Sequence, residues 1–584
     1  MKRSSWLVML FVGLLLAFAW SGVRLAFARQ HLETGRVELL GAKQALLDNE
    51  AELADQRLQL AGGETSRARK LTHDPVSWVL SKVPVVGRPI AIGRGLSDGA
   101  DRLAQQVLPA ALHTSLAIDG SSVRRRDGTI DLTAIDRLTP AIHRAASECR
   151  AVQRMVHELP DGLISSATKA RDAFRVQVDD LTTAIVDASD ALAVAPAFLG
   201  GDGTKRWFVL VMQAAESRGS GGIPGGFAVI RAYDGRLVVE ASGSNQELRD
   251  VPYTIPADVP GDFRMRYELD GAFSVWANVT LSPNFPVVAK IVAAKWRAQS
   301  GQSIDGVISI DGTALAHLLE GSNPIQIGRR TVSADQLVDY LAVGQYRDNP
   351  GTRERKDGLS AVSTSVLNRI ASGQGDTRQL LKGISSALRS GHAHFATEET
   401  PFRSVLERTG LDGALPRGKG PVAYAVINNA TGGKLEHYLE RTLTYRVERC
   451  GPTWREVKII VVLLSRAPSV DSLPPYVTIR SDEGATIHSS AGKVLLDVFA
   501  ARGAKIISST LNNQALSTVE GRTQITLQQS VEGELPVWRV PVETIPGVPQ
   551  TFVLTVVEPR SRLALRVPEQ PQDVPLVKHV EGRC

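Results

Sequence analysis

The chain has 584 residues, with 67 Lys and Arg against 61 Asp and Glu for a formal net charge of +6. A hydrophobic fraction of 43% supplies enough apolar mass for several cores and excludes wholesale disorder. Three cysteines exclude a disulfide-stapled fold and a four-thiolate zinc site. The basic residues are spread along the chain instead of forming the patch that a nucleic acid needs.

Residues 1–5 include Lys2 and Arg3 and precede an apolar run over 6–23, which Trp6 opens and Trp20 nearly closes. At helical rise this run covers roughly 27 Å, enough to cross a bilayer core. The basic pair favours a cytoplasmic N-terminus. The expectation is a cytoplasmic tail (1–5), a single transmembrane anchor (6–23) and an extracytoplasmic remainder, with no second apolar stretch of that length. Ala17-Phe18-Ala19 and Ala26-Phe27-Ala28 carry the small-x-small form of a cleavage site, so a removed signal peptide is the competing reading. Either route leads to an oxidising compartment. There a disulfide between two of Cys149, Cys450 and Cys584 is permitted, and free thiols are equally compatible.

Residues 24–197 read as a helical stalk or bundle. Leu32, Leu39, Leu46, Leu53 and Leu60 recur every seven residues, but the partner positions hold Gly35, Ala42, Asn49 and Gln56. That is a poor coiled-coil seam, and close packing through small residues is expected instead. Pro75, Pro84 and Pro89 break the run. Phe174, Val178, Leu181, Ile185, Ala188 and Leu192 then mark one face of a long helix, closed by Pro196 and Gly200.

At Arg206 the period changes to two. Strands are expected over 207–212, 227–232 and 236–241, the last two joined by the hairpin dipeptide Asp234-Gly235. Helices over 285–299, 313–319, 333–341 and 359–390 alternate with a strand over 306–310, which indicates a three-layer α/β domain spanning 198–400. From 417 to 584 short β-rich segments separated by Gly and Pro point to an immunoglobulin-like β-sandwich. The expected class is α+β and multidomain: transmembrane helix, helical stalk, α/β domain, C-terminal sandwich.

The most informative segment is 213–227, which contains Glu216, Arg218 and five glycines between two strands. Such a turn can expose successive N–H groups as an anion-binding nest, and Arg218 adds a forked cation suited to phosphate or carboxylate. Bracing of the loop by a Glu–Arg pair is the structural alternative. A second cluster holds Arg347, Asp348, Arg353, Arg355 and Lys356 ahead of a long helix, where cations could clamp a diphosphate; a solvated charged loop is its ordinary meaning. Asn278 and Asn284 place amides near the start of a helix, either toward a ligand or as N-caps. His392 and His394 read as a solvent-facing pair rather than a metal site, and Asp305-Gly306 and Asp311-Gly312 as turns. No cofactor fingerprint or metal-ligand set is present in the sequence, and no catalytic residue can be assigned.

Several motifs carry a family likeness: Gln213 with Glu216-x-Arg218 and Gly221, Gly222 and Gly225; Asn284-Phe285-Pro286; the segment 305–311; and Asn428-Asn429-x-x-Gly432-x-Lys434-Leu435-Glu436-x-Tyr438. Together they resemble an uncharacterised, membrane-anchored bacterial family of unknown function, of actinobacterial type. The chain is also similar to the LytR-CpsA-Psr group, which transfers glycopolymers from polyprenyl diphosphate carriers. That likeness implies a phosphorylated polyprenyl or polysaccharide ligand, bound through Glu216 and Arg218 with Arg347, Arg353, Arg355 and Lys356. It implies a divalent metal only if transfer takes place. The group's acidic residue after the arginine turn has no counterpart among 221–226, and Ala241-Ser242-Gly243-Ser244 stands where its Arg-Asp pair would be. A non-enzymatic envelope or surface-polysaccharide assembly protein is the alternative function. Protein partners are not indicated.

Overall fold

The structure, a computed structural model, describes residues 2–47, 50–119, 123–125, 127–162, 165–327, 330–348, 362, 364–368, 377–482, 484–516, 527–582 and 584. The chain is α+β. It divides into two compact units, Met1–Arg126 with Ile130–Asp202, and Gly203–Cys584 with Asp127–Thr129.

The first unit is helical. Helix α1 (Lys2–Leu47) carries residues 6–23 within one uninterrupted run and lies against α2 (Ala51–Thr72). The buried side of this pair is mostly small residues, Gly35, Ala42, Ala45, Ala54, Ala61, Gly62 and Ala68, with Leu58 among them, whereas Leu53 and Leu60 are exposed. Small side chains let the backbones approach, so the leucine repeat is not the seam. The prolines start helices as well as break them: Pro75 opens α3 (Pro75–Ser81), capped by the Asp74 carboxylate, and Pro89 lies in the first turn of α4 (Arg88–Arg102). Beyond α5 (Leu108–Asp119), Asp131 caps α6 (Leu132–His157), which packs Ala145, Cys149, Val152 and Val156 against Val178 and Ile185 of α7 (Ser165–Phe198). By length and composition α7 is apolar enough to cross a membrane. Asp187 and Asp190 interrupt its apolar half, and α7 turns one face into the core it shares with α6.

The second unit opens with a five-stranded sheet ordered β3-β2-β1-β4-β7. Its strands are β1 (Lys205–Gln213), β2 (Ile223–Tyr233), β3 (Arg236–Ser244), β4 (Gly306–Ile310) and β7 (Ala393–Thr397); β5 (Ile325–Ile327) and β6 (Arg330–Val332) form a separate small hairpin. Within this sheet β1 and β4 pair in parallel and the other neighbouring strands antiparallel. Asp234 (φ 47°) and Gly235 (φ 78°) turn β2 into β3, both in the left-handed region that a tight hairpin requires. Alternation along β1 sets the layers. Phe208, Leu210 and Met212 face a core with α8 (Gly261–Tyr267) and α9 (Phe285–Ser300), while Val209 and Val211 face another with α10 (Gly312–Leu319). Helices α11 (Gln345–Asp348), α12 (Thr377–Arg389) and α13 (Phe402–Thr409) complete this part.

The remainder of the unit is two β-sheets around one core. The six-stranded sheet runs β15-β14-β18-β10-β9-β19 and the four-stranded sheet β16-β17-β13-β8. The strands are β8 (Ala423–Asn429), β9 (Leu439–Cys450), β10 (Trp454–Ser465), β13 (Gly492–Ala500), β14 (Lys505–Leu511), β15 (Gln514–Ala515), β16 (Gln528–Glu532), β17 (Leu535–Thr544), β18 (Gln550–Pro559) and β19 (Leu576–Glu581), with β11 (Ile479–Arg480) and β12 (Ile487–His488) as a side ribbon. Alternate residues of the two sheets, Val457, Ile459 and Val461 on one and Val494, Leu496 and Trp538 on the other, fill the space between them. Strand β19 pairs in parallel with β9, and Cys450 and Cys584 form a disulfide beside it, with a Cα–Cα distance of 5.8 Å. Cys149 is a buried free thiol whose pKa burial raises to about 11.

Candidate functional site: the glycine turn and its lysine

The turn that joins β1 to β2 is built by close backbone approach. A Cβ on Gly222 would sit 2.2 Å from the Gln213 carbonyl oxygen, and one on Gly219 would sit 2.3 Å from that of Leu281. Gly221 has φ +124°, a region that side chains avoid. Four of the N–H groups that could have formed a nest are already used. Gly219 donates to Asn428 Oδ1 (3.0 Å), Ser220 to the Thr280 carbonyl (3.0 Å), Gly221 to that of Arg218 (2.8 Å) and Ile223 to that of Glu216 (3.2 Å).

Glu216, Arg218 and Asn278 are brought together, but on each other and on the sandwich. Arg218 donates through Nη1 to the carbonyls of Ser217 (3.0 Å) and Asn429 (3.1 Å), and through Nη2 to Asn278 Oδ1 (3.2 Å). Burial draws its pKa down to about 10, against the pull of Glu436 and Asp270. The Glu216 carboxylate contacts Lys434 Nζ, which lies 5.1 and 5.4 Å from the ring centroids of Tyr346 and Tyr476. The two rings stack at 5.0 Å, so the ammonium is enclosed by one carboxylate and two π faces. Next to it the buried Glu436 accepts from Asn429 Nδ2 (2.6 Å). Burial moves Lys434 down to about 7, a shift that the charges of Glu436 and Asp573 oppose, and it moves Glu436 up to about 7.

Two glutamines lock the same turn from the segment before β19. Gln570 Nε2 donates to the carbonyls of Arg218 and Ile427, both at 2.7 Å, and Gln572 Nε2 donates to that of Gly221 at 2.6 Å. A second junction lies farther along. Asp497 takes a forked pair from Arg539 (2.8 and 2.9 Å) and a contact from Arg266 (3.0 Å), while Glu532 accepts from Tyr267 (2.7 Å) and Ser282 (2.5 Å). Burial works to raise the Asp497 pKa, but the two guanidiniums outweigh it and hold the group low.

The remaining expected residues do not join this cluster. Asn284 occupies the N-cap position of α9 without a side-chain capping bond, and its N–H donates instead to Ser282 Oγ (2.9 Å). Arg347 is exposed on α11, and its neighbour Asp348 pairs with Arg330 at 2.7 Å. Arg353, Arg355 and Lys356 lie outside the described residues. The histidine pair does not face solvent: His392 Nδ1 meets Asp311 Oδ2 at 2.5 Å with its side chain 12% exposed, and His394 packs on Phe285 with its pKa lowered by burial to about 4. Asp311 also caps α10 through the Ala314 N–H (2.9 Å). Among the described residues no group of three His, Cys, Asp or Glu side chains is arranged to hold a metal ion.

Lys434, Glu436, Gln570 and Gln572 carry the site without having been singled out for it. The motif over 428–438 contains the first two, but its spacing does not say what they touch. Chemically, a lysine titrating near 7 has the basicity of a general base, yet its side chain is 1% exposed and the neighbouring charges balance it.

Residues 202–346 are similar to a family described as a protein of unknown function (DUF4012). That segment holds the glycine turn and Tyr346 and stops short of Lys434. No curated protein and no solved structure matches the chain.

Proposed function

We propose that the chain is a membrane-tethered, extracytoplasmic envelope protein of the non-enzymatic assembly or scaffold kind. Residues 6–23 would be its anchor, and the α/β layers and β-sandwich would form one rigid presenting body. The observation that carries this reading is the closure of the glycine turn: both terminal nitrogens of Arg218 and the Glu216 carboxylate are engaged by Asn429, Asn278 and Lys434, while the Arg218 Nε is buried without a partner among the described residues. The Asp497–Arg539–Arg266 junction acts in the same sense. The Cys450–Cys584 disulfide fits an oxidising compartment. A LytR-CpsA-Psr-like role, with a polyprenyl diphosphate held at Glu216 and Arg218, would require a ligand to displace those internal partners from a buried site, at a desolvation cost they now avoid.

Two measurements test the proposal. Protease added to intact cells should cut the chain; protection until lysis would remove the extracytoplasmic placement. Geranyl diphosphate titrated into the full chain in lipid nanodiscs should give no saturable heat. Saturable binding that Arg218→Gln abolishes would restore the carrier-binding site and sink the scaffold reading.

A further inference from the structure

A cavity of about 910 Å³ opens in the β-sandwich beside the Cys450–Cys584 bridge, within the size range of small-molecule sites. Its lining separates into two chemistries. Val447, Leu565, Leu563 and Val580 give an apolar wall, and the last two hold their side chains 59% and 60% exposed, an unfavourable state for residues at the mouth of a cavity. Arg455, Arg560 and Arg562 give the cations.

The three arginines are not equivalent. Arg455 is buried against Glu558, with Nε 2.7 Å from Oε1, and is neutralised there. Arg560 spends one donor on the Gly451 carbonyl at 3.2 Å and forms no ion pair among the described residues. Arg562 has no hydrogen bond or ion pair among the described residues. Its loop is nonetheless shaped, because the Leu563 N–H donates to Ser561 Oγ (3.1 Å) and the Arg560 N–H to the Thr453 carbonyl (2.9 Å). A fixed loop therefore presents two guanidiniums without an ion-pair partner among the described residues next to unburied alkyl surface.

We infer that this cavity binds an anionic amphiphile: an alkyl chain laid along Val447, Leu563, Leu565 and Val580, with its phosphate or carboxylate head on Arg560 and Arg562. The site is separate from the glycine turn and does not depend on the scaffold reading. Two exposed cations suit an oxyanion, and covering Leu563 and Val580 supplies the apolar contribution.

The test uses the full chain in phosphatidylcholine nanodiscs and a diazirine-bearing decyl phosphate as photoprobe, with adducts mapped by tandem mass spectrometry. Labelling should fall on peptides containing Val447, 563–565 or Val580. Decyl phosphate or decanoate should compete, whichever does so at the lower concentration naming the head group, while decanol and inorganic phosphate should not. The double variant Arg560→Ala/Arg562→Ala should weaken competition about tenfold, the loss expected for charged hydrogen bonds. Leu563→Asp should abolish labelling, and circular dichroism melts of both variants should match the parent. Adducts elsewhere, protection by decanol equal to that by decyl phosphate, or parent-like labelling of the double variant would each overturn the assignment.

Discussion

Lys434 Nζ meets the carboxylate of Glu216, 218 positions earlier in the chain, beneath the stacked rings of Tyr346 and Tyr476. One ammonium thus joins the turn after β1, helix α11 and the segment entering β9. The two halves of the second unit meet at this point, and the two opposite charges are buried against each other.

That mutual burial sets a stability cost. Lys434→Met leaves Glu216 without its cation in a largely buried site, and breaking a buried pair from one side costs about 3–5 kcal/mol. Glu216→Gln combined with Lys434→Met removes both charges and should recover a substantial part of the loss. Chemical denaturation of the parent, both single variants and the double variant gives the coupling energy. Additive losses would mean that the two groups do not act on each other.

Glu436 makes the site pH-dependent in a defined direction. Its folded pKa is raised by burial to about 7 from the ordinary 4.5, so between those values the folded chain holds a proton that the unfolded chain has released. Its contribution is therefore fully present below about 4.5 and is lost as pH rises through 7, by up to about 3 kcal/mol. Other carboxylates titrate in the same window, so the diagnostic is the difference between parent and Glu436→Gln. That difference should shrink as pH falls from 7 to 5; a pH-independent difference would contradict the shift.

Local patterns in the sequence correspond closely to local structure. The strand expected over 306–310 is β4, the Asp234-Gly235 signal is the β2–β3 turn, and the apolar steps from Phe174 to Leu192 lie on α7. These features depend on neighbours within one or two turns of chain. The poor heptad seam is legible for the same reason: Leu53 and Leu60 face water while Gly35 and Ala61 make the contact, a choice governed by backbone approach. The role of the glycine turn, by contrast, is hidden. Glu216 and Arg218 look like ligand residues as long as their partners, Lys434 and the Asn429 carbonyl, are not known to fold onto them. No periodicity encodes a contact across two hundred residues.

Because the turn glycines are required by contact, Gly222→Ala should be costly without touching any charged group. The added methyl would overlap the Gln213 carbonyl, and forced overpacking typically costs 1–3 kcal/mol. Gly261→Ala, at the first residue of α8 where nothing lies within 4 Å, is the matched control and should be close to neutral. Thermal melts of both variants decide the point. Equal melting temperatures would mean that the turn relaxes freely and that its glycines serve something other than packing.

The cysteines give a prediction that separates local from global order. Along β19 only Leu576 is buried, so this edge strand depends on its ladder with β9 and on the Cys450–Cys584 bridge that closes 134 residues of chain. In the native chain an alkylating reagent should modify no thiol, since two are paired and Cys149 is buried with its pKa raised to about 11. Denaturation without reductant should expose one, and with reductant all three. Reduction under native conditions should first raise amide exchange over 576–581, where side-chain burial is least, and Cys450→Ser should lower global stability by roughly 2–5 kcal/mol. Exchange that stays protected in β19 after reduction would show that the ladder alone holds the strand and that the bridge contributes nothing to its order.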